Sequence, residues 1–138
     1  MSEGWAFQRD YTAAPEHIDE LGHVNNAVWV QWIQDIAVSH WNAVAPEPHR
    51  DRYIWVVSRH EIDYRGNIRE GEVAHGRTRV SGEPRGARFD REVQFVDGEG
   101  KVLVSALTRW AMLDRETMRP QRITSEIAAP FLTSSPRT

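Results

Sequence analysis

The sequence contains no cysteine, so neither a disulfide bond nor a thiolate takes part in its structure or chemistry. This absence excludes disulfide-stapled scaffolds, iron–sulfur clusters and cysteine nucleophiles. The hydrophobic core must therefore stabilise the chain, and a folded chain of this size buries about two-thirds of the surface that its unfolded form exposes. We predict one domain over residues 1–138, with a core of about residues 5–115 and a C-terminal extension over 116–138.

An excess of basic charge is also lacking, because 17 Lys and Arg residues stand against 20 Asp and Glu residues. Nucleic-acid binders carry a basic footprint, so we predict no nucleic-acid partner. The longest unbroken apolar run is Tyr53–Val57, far shorter than the roughly 20 residues that cross a bilayer. Residues 1–10 have neither the basic start nor the apolar stretch of a secretion signal. These absences predict a soluble, cytoplasmic protein with no membrane partner.

A long apolar stripe follows two adjacent asparagines and predicts one long helix. Asn25 and Asn26 precede it, and asparagine favours the N-cap because its side-chain oxygen accepts from free amides of the first turn. The apolar face is broad and holds Val28, Trp29, Trp32, Ile33, Ile36, Ala37, His40 and Trp41. Pro46 and Pro48 predict its end. A face this broad suits a helix that a concave partner covers on most sides.

Beyond residue 52 the hydrophobic period changes from about 3.6 to 2, which predicts β-strands. Strands are expected over Phe7–Tyr11, Trp55–Tyr64, Val73–Val80, Phe89–Phe95 and Val102–Leu113, with turns at Gly66–Asn67, Ser81–Gly86 and Asp97–Gly100. In the fourth of these strands Phe89, Arg91, Val93 and Phe95 share one face. Thr124–Pro130 is a candidate short helix, and Thr133–Thr138 a frayed tail. The order predicts an α+β fold in which one helix is followed by an antiparallel meander.

The segment between the first strand and the helix is dense in polar groups and reads H-I-D-E-L-G-H-V-N-N-A-V-W from His17 to Trp29. It places the carboxylate of Asp19 shortly before a glycine and a helix N-terminus. Backbone amides at a helix start are free donors, backed by the positive end of the helix dipole, and they stabilise negative charge on a carbonyl oxygen. Gly22 lets the backbone approach a substrate closely. The segment therefore predicts a catalytic site at which Asp19 attacks a carbonyl or activates water.

The pattern D-x-x-G-H-V-N-N, opening a tryptophan-rich helix, resembles the acyl-CoA thioesterases of the 4-hydroxybenzoyl-CoA thioesterase-like family. The resemblance extends to Val56–Tyr64, Gly71–Val73 and the last two strands, and so covers about residues 5–115. It implies the hot-dog fold, a five-stranded antiparallel sheet wrapped around a long central helix. It also implies hydrolysis of an acyl-CoA thioester to the free acid and coenzyme A, with no cofactor apart from the coenzyme A of the substrate.

The resemblance implies that Asp19 acts as nucleophile or general base and that the backbone amide of Asn26 polarises the thioester carbonyl. A carboxylate suffices because a thiolate is a good leaving group. His23 and Asn25 are further catalytic candidates that shape the turn or hold the incoming water. Some bacterial members carry a histidine and a tyrosine where this chain has Asn26 and Pro15, which moves any histidine contribution to His23.

Five residues are candidates for binding the substrate. Gly22 and Trp29 lie within the motif, and Trp29 stands where the family commonly has a tyrosine. Arg85 and Arg88, with Arg59 after them, are candidates for the coenzyme A phosphates, because a guanidinium binds phosphate bidentately. Sites in related proteins form between subunits, and one helix leaves apolar sheet surface to cover. We therefore expect a homodimer or a dimer of dimers.

Three other functions and a metal site are the alternatives. A hot-dog hydratase or dehydratase would place a histidine at Val24, and the plant thioesterases that act on acyl carrier protein have an asparagine at Leu21. A non-catalytic module would bind an acyl thioester without releasing thiol. His17, Asp19 and His23 have the right chemistry for zinc, but they fall on a loop rather than on one helix face. We therefore predict no metal.

Overall fold

The computed structural model of the protein describes residues 4–132. In chain order the elements are β1 (Phe7–Thr12), a 3₁₀ turn (Pro15–His17), α1 (Asn26–Val44), α2 (Glu47–Arg52), β2 (Tyr53–Tyr64), β3 (Val73–Arg85), β4 (Arg88–Val96), β5 (Val102–Asp114) and α3 (Ser125–Leu132). The strands and the terminal helix lie close to the predicted positions. The predicted tail, Thr133–Thr138, lies outside the described residues.

The five strands form one antiparallel sheet in the order β1-β3-β4-β5-β2, with β1 and β2 at its edges. α1 packs against this sheet and buries its apolar face there. The predicted α+β hot-dog architecture is confirmed. β2 pairs with β5 although β3 and β4 lie between them in the sequence, so β2 ends at an edge of the sheet with one side unpaired.

α1 begins where the asparagines predict, because Asn25 Oδ1 accepts a hydrogen bond of 2.8 Å from the Ala27 N–H. It ends at Val44, ahead of the two prolines. A second helix, α2, was missed: Pro46 is its N-cap residue and Pro48 lies in its first turn, where proline has no hydrogen bond to lose. None of the helices within residues 4–132 is both long and apolar enough to cross a membrane.

The turn predicted over Ser81–Gly86 is much tighter in the structure. β3 continues to Arg85, and its register with β4 slips between Ser81 and Arg85. Pro84 falls in this irregular stretch, where its missing N–H costs the ladder no hydrogen bond. Gly86, at φ 61°, takes the left-handed conformation that reverses the chain. The position of the chain reversal was predicted correctly, but most of the residues assigned to the turn form a bulge within β3.

Buried apolar residues form two clusters along α1. The first surrounds the N-terminal half of the helix and includes Trp29, Trp32 and Phe95. The second surrounds the C-terminal half, around Trp41, and receives Ile123, Ile127, Ala128 and Phe131 from the chain beyond β5. The residues predicted as an extension therefore supply part of the core at one end of α1.

Candidate active site

Residues 18–24, here called the Asp19 turn, form a tight loop. The Asp19 N–H donates to the His23 carbonyl at 2.8 Å, and the Gly22 N–H donates to the Asp19 carbonyl at 3.0 Å. Oδ1 of Asp19 accepts from the N–H groups of Leu21 and His23 at 2.9 and 3.2 Å. Within residues 4–132, Oδ2 has no hydrogen-bond partner. The loop thus fixes the carboxylate through one oxygen and leaves the other available.

Gly22 has a φ of 80°, a conformation that L side chains rarely adopt. A Cβ atom at this position would lie 3.2 Å from Nη1 of Arg69. The glycine therefore gives the turn both its conformation and its close approach to a guanidinium. The sequence reading missed Arg69 as a site residue, since it lies in the β2–β3 connection among glycines that signal a turn and nothing more.

The N-terminus of α1 follows directly. The Asn25 N–H donates to the His17 carbonyl at 2.9 Å, and its side chain caps Ala27. The N–H of Asn26, the first helical residue, has no acceptor among the described residues, and Asn26 is exposed. A free amide at the positive end of a helix stabilises negative charge on a carbonyl oxygen. The structure therefore presents a free donor at the position where the resemblance implies one.

Asn67 ties the Asp19 turn to the connection between β2 and β3. Its Oδ1 accepts from the Val24 N–H at 3.0 Å and from the Ile68 N–H at 2.8 Å, and its Nδ2 donates to the Val24 carbonyl at 3.2 Å. The side chain satisfies both backbone groups of Val24, as a neighbouring strand would. The sequence marked Asn67 only as a turn residue, and its partner lies 43 positions away.

The two histidines of the motif have different surroundings. Nδ1 of His17 accepts a hydrogen bond of 3.0 Å from the Ala14 N–H, and its ring lies edge-on to Trp32. The ring of His23 is half-buried and has no hydrogen-bond partner among residues 4–132. In the same part of the chain, no group of three or more His, Asp or Glu side chains is arranged to hold a metal ion.

A packed aromatic layer lies under the first turns of α1. Trp29 is fully buried and meets Trp32 edge-on, with ring centroids 5.1 Å apart. Tyr11 stacks on Trp32 and donates a hydrogen bond of 2.6 Å from its hydroxyl to Asp35. Burial, then this hydrogen bond and the charge of Asp35, raise the pKa of Tyr11 well above its usual range. Trp29, predicted as a substrate contact, thus has its whole side chain in the core.

The structure brings together Asp19, Gly22, His23, Asn25 and Asn26, but it places the predicted arginines elsewhere. Arg59 lies on β2 and pairs with Glu61. Arg85 and Arg88 face each other across the β3–β4 reversal. β3 starts beside the loop that leads to the Asp19 turn, where the Ala13 N–H donates to the Glu72 carbonyl. Eight steps of β4 separate Val96, opposite His75, from Arg88, opposite Arg85, so at about 3.3 Å per residue the two arginines lie about 26 Å beyond His75 along the sheet.

Comparison with known proteins adds to this geometry. The model of the thioesterase-like superfamily matches residues 13–131. No curated protein matches the chain in a search of such proteins. A thioesterase from Thermus thermophilus complexed with coenzyme A and Zn is similar in structure, with a TM-score of 0.80 and 22% identity, over 94% of this chain and 99% of that chain.

Two further solved structures share the fold. A hypothetical protein from Staphylococcus aureus in complex with CoA has a TM-score of 0.80 and 14% identity, over 96% of this chain and 87% of that chain. A 1,4-dihydroxy-2-naphthoyl-CoA thioesterase from Synechocystis has a TM-score of 0.76 and 11% identity, over 91% of this chain and 95% of that chain. With the family model matched over residues 13–131, the chain belongs to the thioesterase-like superfamily, which confirms the predicted enzyme class, thioester hydrolase.

Proposed function

We propose that the protein hydrolyses acyl-CoA thioesters at the Asp19 turn. One observation carries this proposal: a carboxylate oxygen of Asp19 and the backbone N–H of Asn26, both without partners among the described residues, belong to one hydrogen-bonded loop and the helix it opens. Between them, Gly22 lets the backbone approach a ligand. A nucleophile or base with a nearby oxyanion donor is the minimum that attack on a thioester requires.

The two groups divide the reaction between them. The Asn26 N–H donates to the thioester carbonyl oxygen and stabilises the charge that develops there; a donor of this kind typically contributes about a hundredfold or more to the rate. The Asp19 carboxylate either takes a proton from the attacking water or attacks the carbonyl carbon itself, forming a mixed anhydride that water then hydrolyses. In both routes the C–S bond breaks, one water is consumed, and the thiolate of coenzyme A takes up a proton. His23 and Asn25 shape the turn around the incoming water.

Coenzyme A is the proposed thiol portion of the substrate. The proteins from Thermus thermophilus and Staphylococcus aureus that share this fold are described in complex with it. Arg69, whose Nη1 lies 3.2 Å from the position of a Cβ on Gly22, is a further candidate for its phosphates. Arg59, Arg85 and Arg88 remain candidates for its phosphates. Because Arg85 and Arg88 lie at the reversal between β3 and β4, far from the Asp19 turn of their own chain, they serve an Asp19 turn when a second copy of the chain brings them to it.

A cytoplasmic homodimer, or a dimer of dimers, is the proposed assembly. β2 is a 12-residue edge strand, and an unpaired edge is a template for pairing with another chain. Exposed apolar side chains accompany it, including Val56 and Tyr64 on the strand itself and Leu107 on β5. Light scattering should give two or four chains per particle for the wild type and one for Val56→Asp. A wild type that is monomeric at micromolar concentration would contradict this assembly.

Thiol release from a panel of aromatic, short, medium and long acyl-CoA esters tests the function. We expect the wild type to turn over at least one class, and Asp19→Asn to lose at least a hundredfold in kcat because the amide is neither a base nor a nucleophile at this position. Glu20→Gln is the matched control, since it removes the adjacent, exposed carboxylate. Equal activity of the Asp19 variant would refute the role of Asp19. If esters raise the Tm but release no thiol, the protein is a binding module instead.

A further inference from the structure

Arg69 is an exposed residue of the β2–β3 connection, and its guanidinium lies against the Asp19 turn. Its Nη1 lies 3.2 Å from the position that a Cβ would take on Gly22. Among the described residues beyond the chain neighbours of Gly22, no other heavy atom lies within 4 Å of that position. The Gly22 N–H donates to the Asp19 carbonyl at 3.0 Å, so the guanidinium lies beside the turn that the proposed hydrolysis uses.

Hydrogen bonds within the β2–β3 connection hold the backbone of Arg69 in place. The Arg69 N–H donates to Glu72 Oε1 at 2.7 Å, and the Glu72 N–H donates to the Arg69 carbonyl at 3.0 Å. Asn67 joins the connection to the Asp19 turn, and the Gly71 N–H donates to the Ala13 carbonyl at 2.8 Å. The connection is thus fixed on both sides of Arg69, which keeps the guanidinium next to Gly22.

The guanidinium of Arg69 has free donors. Within residues 4–132 it has neither an ion-pair nor a hydrogen-bond partner, and Glu72 directs Oε1 to the backbone N–H instead. A guanidinium presents its N–H donors in a planar fork. Arg115 shows what such donors bind in this chain, because it donates to the carbonyl oxygens of Asp51 and Arg50 at 2.8 and 2.9 Å. Arg69 is therefore able to donate to an amide carbonyl of a ligand at the turn.

The thiol portion of a coenzyme A ester offers such carbonyls. Its pantetheine arm starts at the sulfur with an ethylene link, continues through amides and ends at the phosphates. Extended, the arm spans as much as about five residues of a β-strand, or about 16 Å at about 3.3 Å per residue. A guanidinium beside the Asp19 turn lies near the sulfur end of this arm, whereas the phosphates of the same molecule lie at the far end.

The arm leaves the turn on the side where Arg69 lies. Leu21, at the tip of the turn, is 73% exposed, whereas Val24 and Trp29 are buried in the core. Because coenzyme A is large and polar, its arm must run from the turn towards solvent and not into the core. Arg69 is exposed and borders Gly22, so it lies along the open route.

We propose that Arg69 binds the pantetheine arm of the substrate and donates from its guanidinium to the carbonyl oxygen of the amide nearest the sulfur. This inference rests on the proposed hydrolysis at the Asp19 turn and adds to it a residue that positions the leaving group. No atom of the acyl group takes part, so the contact is the same for every acyl ester. Arg69 reaches phosphates only when another copy of the chain holds the thioester of that coenzyme A.

A series of thioesters of one acyl group tests the contact. The thiols are ethanethiol, which has no amide, N-acetylcysteamine, which adds the amide nearest the sulfur, pantetheine and coenzyme A. Arg69→Met removes the donors and keeps an unbranched stem. We expect it to leave kcat/KM unchanged for the ethyl thioester and to lower it about tenfold for the others, because a hydrogen bond from a charged donor contributes about this much. The loss should appear in KM rather than in kcat, since the contact exists before and during the reaction.

Two further variants complete the series. Arg69→Lys keeps a charged donor and should recover part of the loss. Arg65→Met is the matched control, because it removes another exposed guanidinium of the same connection, at a residue whose backbone N–H donates to the Leu103 carbonyl of β5 at 2.8 Å. It should hydrolyse every ester as the wild type does. If Arg69→Met does not fold, as judged by circular dichroism, Arg69→Ser takes its place with the same expected losses.

Three results of the series would overturn the contact. Equal kcat/KM of Arg69→Met and the wild type for every ester would show that Arg69 does not touch the substrate. A loss that already appears with the ethyl thioester would show a general disturbance of the turn. A loss confined to the coenzyme A ester would show that Arg69 binds a phosphate and not the amide.

Binding of free coenzyme A tests the same contact without turnover. By calorimetry, Arg69→Met should bind it about tenfold more weakly than the wild type. Adenosine 3′,5′-bisphosphate, which has phosphates but no arm, should bind both proteins alike. The contact is overturned if coenzyme A does not bind the wild type, if both proteins bind it equally, or if Arg69→Met weakens the bisphosphate.

The two proposals fail in different ways. If no ester releases thiol but coenzyme A binding depends on Arg69, the hydrolysis is refuted and the contact stands. If the esters are hydrolysed and Arg69→Met changes neither the series nor the binding of coenzyme A, the contact alone is refuted.

Discussion

At the N-terminal end of α1, the Asp19 turn is a run of consecutive residues whose backbone groups bond to one another, to the Asp19 carboxylate and to Asn67. At the C-terminal end, a cavity of about 220 Å³ is walled by aromatic side chains from five elements: Trp41, Tyr53, Trp55, Phe89, Trp110 and Phe131. The first region holds the Asp19 carboxylate through one oxygen and, among the described residues, leaves the N–H of Asn26 without an acceptor. The second leaves aromatic surface open, and among the described residues its buried Arg91 bonds to His40 and Thr78 rather than to a carboxylate. The same helix therefore has, at one end, a turn held by backbone hydrogen bonds and, at the other end, a cavity lined by side chains.

The two ends of α1 should differ most in the free energy of unfolding that is lost when a buried tryptophan is replaced. Trp29→Ala takes a fully buried ring out of the first cluster and should cost about 3–5 kcal/mol in the free energy of unfolding. Trp41→Ala should cost less, because Trp41 borders an existing cavity and has no packing contacts to lose on that side. Urea denaturation of both variants measures the difference. Equal losses would show that the cavity end is packed as tightly as the other.

Acid should lower the stability of the folded protein through His40, which lies in the C-terminal half of α1. Its pKa is lowered to about 3 in the folded protein, whereas the unfolded chain titrates near 6.5. The unfolded state therefore binds a proton that the folded state does not, so stability falls as the pH drops below about 6.5 and continues to fall towards 3. Between pH 7 and pH 5 the loss from this group approaches about 2 kcal/mol.

Urea denaturation of the wild type and of His40→Gln at pH 7 and pH 5 measures this contribution. The variant should lose less stability on acidification than the wild type. His60, whose pKa burial also lowers, is present in both proteins and cancels in the comparison. Identical pH dependence of the two proteins would remove His40 as the acid-sensitive group.

Substitution of Asn67 should disturb the Asp19 turn without affecting the cavity at the other end of α1. Asn67→Ala leaves both backbone groups of Val24 without their partner, which should cost about 1–3 kcal/mol of stability. As a positioning residue, Asn67 should affect kcat more than KM, with a loss of about tenfold. Asn67→Asp keeps the acceptor for Val24 and Ile68 and should recover part of kcat. Gln31→Ala, an exposed change on α1, should alter neither the stability nor kcat.

The smallest effect is expected from a pair of glycine substitutions. Gly22→Ala and Gly86→Ala both place a side chain at positive φ, with a cost of about 1–2 kcal/mol in stability. The space around Gly86 is open, whereas a Cβ at Gly22 approaches Arg69. Both variants should therefore lose similar stability, but Gly22→Ala alone should lose activity. Thermal denaturation and thiol release on the two proteins check this, and full activity of Gly22→Ala would contradict the role of the turn.

The sequence allowed prediction of features that depend on residues close to one another in the chain. Asn25 caps the helix through a residue two positions away. The alternation of Phe89, Arg91, Val93 and Phe95 placed Arg91 on one face with three apolar residues, and the structure shows that this face is buried. The partners of Arg91 could not be predicted, because His40 and Thr78 lie 51 and 13 positions away and meet it through the register of the sheet. The cavity escaped prediction for the same reason.

The role of α3 has a consequence for a shortened chain. All five strands end by Asp114, while α3 begins at Ser125 and supplies Phe131, which stacks on Trp41. A chain that stopped between β5 and α3 would keep every strand of the sheet but lose the cover of Trp41. Exposed aromatic surface promotes association between chains, so we expect such a chain to aggregate.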